Sequence, residues 1–82
     1  MYRILTEDKN RELVYSILDK WLKGYPVTEA TGAWKGQRER SLVIDVVNET
    51  ASKIKWVAEC IKYENGQESV LILDLPVTAT FV

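Results

Sequence analysis

Trp34, Lys35, Arg38 and Arg40 bring an indole and three cations together within residues 34–40. Cations meet phosphates and an indole stacks on a base, so the combination suits an anionic, nucleotide-type ligand. Two other stretches carry compatible groups. A helix starting near residues 6–11 would offer unbonded N–H groups to an anion, with Lys9 and Arg11 beside it. Glu7 and Asp8 compete there, because their carboxylates suit the same helix terminus. Asn65 and Gln67 pair a donor with an acceptor, the means of reading a base or ribose edge. Each feature also has a plainer account. A charged turn with glycine is commonly a solvated hairpin, Trp34 suits the space beneath it, Glu39 suits an ion pair with Lys35 or Arg11, and Asn65 suits a helix end. Residues 35–38 read Lys-Gly-Gln-Arg, which is no Walker loop, and no GxGxxG occurs.

Other chemistries have no residues to run on. The chain lacks histidine, the commonest general base, so Ser-His-Asp and Cys-His arrangements are impossible. Cys60 is the only cysteine, which leaves no ordinary zinc set and no disulfide. Asp45 and Asp74 fall on expected strands where they could face one another, an arrangement that reads as structural rather than as acid/base chemistry. The expectation is a binding protein, not an enzyme, with no cofactor. Eleven basic residues against twelve acidic ones give no globally basic footprint, so a nucleic-acid polymer is not the expected partner. No apolar run approaches the roughly 20 residues that span a bilayer. Acidic residues interrupt any hydrophobic region near Met1, so no signal peptide is expected, and a lone cysteine fits a reducing compartment. These features together point to the cytoplasm.

The elements that would position these residues follow from periodicity. Eighty-two residues make a single domain, 1–82. Residues 2–6 read as a first strand. Leu13, Val14, Ile17, Leu18, Trp21 and Leu22 form one wide helical face, with capping oxygens at Thr6, Glu7 and Asp8 and a stop at Gly24 and Pro26. Residues 27–34 read as a strand with an irregularity near Gly32, residues 35–38 as a turn, and residues 39–47 as a third strand. Asn48, Glu49 and Thr50 open a second helix with its stripe at Ile54, Val57, Ala58 and Ile61, and Asn65-Gly66 closes it. Residues 68–75 read as the last strand. Residues 77–82 are β-prone and could pair as an edge strand in a neighbour or fold back over the sheet.

The order β-α-β-β-α-β, built with right-handed crossovers, predicts an α+β, ferredoxin-like sandwich. Its four-stranded antiparallel sheet has order 4-1-3-2 and carries both helices on one face. In that topology the start of the first helix, the hairpin at 34–39 and the turn at 65–68 meet at one end. Trp34, Lys35, Arg38, Arg40, Arg11, Asn65 and Gln67 would then share a ligand site. Two features suggest a homo-oligomer. Trp56, Cys60 and Tyr63 form a second apolar row on the second helix. Val43 and Leu71 lie on the sheet face that the helices leave open.

Most of the chain also resembles a loose group of small phage and bacterial proteins of unassigned role. The matching segments are Tyr2-Arg3-Ile4 with residues 6–11, Gly32-x-Trp34-Lys35-Gly36 with Glu39 and residues 41–44, and residues 67–71. Their order and spacing are similar to the PII-like branch of ferredoxin-like proteins, which bind nucleotides between subunits of small oligomers. The long T-loop of PII proteins is missing. Some phage proteins of this size are sponges that sequester nucleotide second messengers of host immunity. The resemblance implies such an anti-defence role in the host cytoplasm. The alternatives are a PII-like nucleotide sensor and a protein-interaction module that uses the open sheet face or the second helix.

Overall fold

The computed structural model describes residues 1–82, with the side chain of Trp34 outside the described residues. The chain runs β1 (Tyr2–Glu7), α1 (Arg11–Trp21), β2 (Val27–Trp34), β3 (Gln37–Val46), α2 (Ala51–Glu64) and β4 (Leu71–Asp74). The strands form one antiparallel sheet in the order β2-β3-β1-β4, which reads 4-1-3-2 from the β4 edge. This α+β arrangement of four strands and two helices is compatible with a ferredoxin-like fold.

Alternation along the strands sets the two faces. Tyr2, Ile4 and Thr6 stand opposite Val46, Ile44 and Leu42. These side chains turn toward the helices, where Ile4, Leu42 and Ile44 are fully buried. Val14, Ile17 and Leu18 of α1 and Ile54, Val57 and Ile61 of α2 join the same cluster. Burying each such aliphatic side chain contributes about 1.5–3 kcal/mol. The other sheet face carries Arg3, Leu5, Val43, Asp45, Leu71 and Leu73. No helix covers it, and Leu71 is 54% exposed.

Local chemistry accounts for most element ends. Thr50 caps α2 by accepting from the Lys53 amide at 3.2 Å, and Asn65 and Gly66 close it, the latter at φ 62°. The start of α1 departs from expectation. Thr6 and Glu7 belong to β1, and Asn10 at φ 51° is the N-cap and makes no side-chain cap bond. Asp8 is occupied by Arg11 instead. α1 stops at Trp21, three residues before Gly24. β2 pairs with β3 without a break through Gly32↔Glu39, so the irregularity expected near Gly32 is absent. The turn is also tighter than residues 35–38: it contains only Lys35 and Gly36, at φ 50° and 79°. Two positive φ values are what a type I′ hairpin requires, and its twist matches the flanking strands. β4 is only four residues long, because Gln67 and Ser69 are drawn into the α2–β4 turn.

Candidate functional site: the hairpin arm and its base

Residues 28–33 and 35–40 are exposed on both sides of the ribbon, so the outer half of the β2–β3 hairpin projects from the body as an arm. Its base is fixed to the β1–α1 connection. The Asp8 amide donates to the Arg40 carbonyl at 3.1 Å, extending the β1–β3 ladder past Glu7↔Ser41. From Arg40 to Gln37 is three residues, so the tip stands about 10 Å farther out.

Cross-strand register sorts charge between the two sides of the arm. Arg38 and Arg40 share one side with Glu29, Thr31 and Ala33, while Glu39 stands on the other with Glu7 close by. At the base of the basic side, two arginines and two carboxylates interlock. Arg11 reaches Asp8 through Nε and Nη2 at 2.6 and 2.7 Å, and Glu29 through Nη2 at 2.5 Å. Arg40 lies 3.5 Å from Asp8 and 3.6 Å from Glu29. The hydrogen bond from Arg11 holds the Asp8 carboxyl below its ordinary value against the opposing effect of desolvation. Asp8 and Glu29 in turn push the Arg11 guanidinium upward. The Arg40 contacts are longer than the 2.7–2.9 Å of a strong charge-assisted bond, and its side chain is 68% exposed. A guanidinium has five donors, so both arginines keep N–H groups for an outside acceptor.

The structure brings Arg11 and Arg40 together and sets Arg38 on the same side of the ribbon. It does not bring Asn65 and Gln67 to that surface. Both are buried, at 3% and 6% exposure, and their amides are spent inside the protein. Gln67 Oε1 accepts from Thr6 Oγ1 at 3.0 Å and from Asn65 Nδ2 at 2.6 Å. Asn65 Nδ2 also donates to the Lys9 carbonyl at 2.9 Å, and Asn10 Nδ2 donates to Asn65 Oδ1 at 2.8 Å. This network clasps the β1–α1 connection to the α2–β4 turn. Two of the three expected segments therefore meet through buried amides, and the third joins them only through its base. The stacking role expected of Trp34 falls on a side chain outside the described residues. Lys35 stands in the turn itself.

The expected assembly residues lie elsewhere. On α2, Trp56 is 50% and Tyr63 76% exposed, with Trp56 edge-on to Trp21 at 5.9 Å between ring centroids. Cys60 packs against the core cluster, and burial pushes its thiol up, with Glu64 adding to the effect. On the open sheet face, Asp45 is bidentate with Arg3 across β1 and β3, at 2.7 and 3.2 Å. Asp74 pairs with Tyr2 and so lies on the opposite face, and the two aspartates do not face one another. Sequence reading missed the Asp8–Glu29 bridge to Arg11 and Arg40. The usable signal was the i,i+3 spacing of Asp8 and Arg11.

Among the described residues no group of side chains could hold a metal ion, and no helix is long and apolar enough to cross a membrane. The fold and the arm define an α+β domain with one projecting, charge-sorted hairpin. No family model matches the chain, and no curated protein matches it.

Proposed function

We propose that the chain is a non-catalytic binding domain that takes a nucleotide-type anion on the basic side of the β2–β3 arm and works as an assembly of copies. The observation that carries the reading is the sorting of charge on β3: Arg40 stands beside Arg11, where the two share Asp8 and Glu29, Arg38 lies farther out on the same side, and Glu39 stands on the other. In this reading Arg38 and Arg40 hold phosphate oxygens, Lys35 adds charge from the turn, and Trp34 stacks on the base. Asp8 and Glu29 keep Arg11 and Arg40 oriented, and Asn65 and Gln67 hold the base of the arm in place without touching the ligand. The most specific form rests on the resemblance alone: a phage-encoded sponge that sequesters a cyclic nucleotide immune signal in the host cytoplasm. A PII-like sensor draws less support, since the β2–β3 turn has two residues where a regulatory T-loop would be long.

Calorimetry of the wild type against cyclic di- and trinucleotides and ADP-ribose derivatives tests the reading. One ligand should bind, Arg38→Ala/Arg40→Ala should weaken it at least about tenfold, and the affinity should fall with salt. Unchanged binding in the double variant overturns the reading. Intact ligand recovered after denaturing the complex separates binding from turnover.

A second reading, a protein-interaction module, has its own support in the half-exposed Trp56 against Trp21 and in the uncovered Leu71. It predicts that Trp56→Ala or Leu71→Lys abolishes capture of one protein partner while Arg38→Ala/Arg40→Ala leaves it intact.

A further inference from the structure

Among the described residues two stretches of backbone are largely without partners, and their chemistries match. The first is the outer edge of β2. β2 lies at the end of the sheet, so one row of its N–H and C=O groups faces away from β3. The two-residue turn fixes which row. Trp34 and Gln37 close the hairpin as a bonded pair, so Val27, Glu29, Thr31 and Ala33 point their backbone groups outward. Edges of this length are usually blunted by lysine, proline or a bulge. Within Val27–Trp34 there is no lysine or proline, Glu29 is the only charge, and the register is unbroken.

The second part is residues 76–82. Val77, Thr78, Thr80, Phe81 and Val82 are β-branched or aromatic, and the segment carries no charged residue. Among the described residues its backbone bonds end at Val77, whose amide donates to the Leu75 carbonyl at 2.8 Å and whose carbonyl accepts from the Met1 ammonium at 3.3 Å. Its apolar side chains gain little where they lie, with Val77 50% and Phe81 78% exposed. The segment crosses the lower ends of the strands. Val77 and Ala79 border a cleft with Met1 and Val47, and Phe81 borders an open cavity of about 800 Å³ with Tyr25 and Pro26. Crossing from β4 to β2 spans about 14 Å, three strand spacings, and uses about five extended residues. Of residues 76–82 that leaves about two, too few for this segment to lie along the β2 of its own chain.

We propose that residues 76–82 of one copy add as a strand to the outer edge of β2 in a second copy. Reciprocal exchange about a two-fold axis closes the dimer and removes the exposed edge of both chains. It also gives the arm the third strand it lacks, since a lone two-stranded ribbon is marginal in water. The inference stands whether or not the arm takes an anion.

The test is sedimentation and amide hydrogen exchange on the full chain over a wide concentration range. The amides of Thr31, Ala33 and residues 78–82 should gain protection together as dimer forms. Ala79→Pro removes one tail donor, and Thr31→Pro removes an edge donor without touching the β2–β3 ladder. Each should weaken dimerisation by at least about tenfold, as expected for one or two lost strand bonds. Protection of the α1 and α2 amides reports that both variants fold. A monomer at every concentration overturns the proposal. So does a dimer that Ala79→Pro leaves intact, and its loss on Leu71→Lys would then assign the interface to the open sheet face.

Discussion

Gln67→Ala tests whether the buried amide network, rather than the hairpin, fixes the end of the molecule that carries the candidate site. The substitution removes the shared acceptor of two buried donors. Thr6 Oγ1, on a residue 4% exposed, loses its hydrogen-bond acceptor, and Asn65 Nδ2 keeps only the Lys9 carbonyl. The Ser69 carbonyl loses the Gln67 Nε2 donor, but Ser69 is exposed and water replaces it. A buried polar group left unsatisfied costs about 1–3 kcal/mol. One orphaned hydroxyl and one half-satisfied amide therefore predict a loss of about 2–4 kcal/mol. A chain of this size has about 4–12 kcal/mol in total, so the loss is a large share and lowers the midpoint of thermal melting by about 10–25 °C. Urea denaturation of the wild type, Gln67→Ala, Thr6→Val and the double variant gives the coupling directly. Thr6→Val removes the hydroxyl that Gln67→Ala orphans, so the double variant should be less destabilised than the sum of the singles by about 1 kcal/mol or more. A single-variant loss under about 0.5 kcal/mol, the range of ordinary surface changes, refutes the clasp.

Three further outcomes follow from the same geometry. The Asp8 carboxyl is held low in the folded protein, so the unfolded chain binds its proton first as pH falls. Its contribution is complete above the ordinary carboxylate range of about 4 and is lost as pH falls through the depressed value. Asp8→Asn should flatten that acid limb in melts taken between neutral and strongly acidic pH. Gly36 sits at φ 79°, where a Cβ costs about 1–2 kcal/mol, so Gly36→Ala should speed amide exchange across the arm and leave α1 and α2 protected. Lys35→Asn, at φ 50°, should slow it, since asparagine tolerates this region better. The Cys60 thiol is pushed up by burial, so its labelling at neutral pH should be slower than that of free cysteine and should rise about tenfold per pH unit until the thiolate predominates.

The elements that sequence reading located well are those decided within a few residues. Thr50 as a cap, Asn65-Gly66 as a stop and the alternation of Leu42, Ile44 and Val46 are local choices, and tertiary structure leaves them in place. Asp8 was harder, because a carboxylate before a helix can cap it or pair with a cation. Arg11 three residues on, with Arg40 arriving from another strand, decides for the pair. Asn65 and Gln67 pose the same difficulty on a larger scale. An amide can read a ligand or satisfy a buried loop, and the choice is fixed only when Thr6, Lys9 and Asn10 arrive from the other end of the chain.

The convergence of three segments at one end was a topological expectation, and topology carries no lengths. β3 begins at Gln37 rather than at residue 39, and that longer ladder carries the turn past the body. The hairpin therefore meets the helix terminus only at its base. The surface it would offer the proposed ligand is the flank of a ribbon, not the floor of a pocket. A ribbon flank offers an anion few contacts from one chain, whereas a second chain lying along β2 would wall one side of it. Assembly and ligand binding, separable as hypotheses, thus meet at β2. Any ligand affinity that rises with protein concentration, and falls in Ala79→Pro although that variant keeps every arginine, would show the two to be coupled.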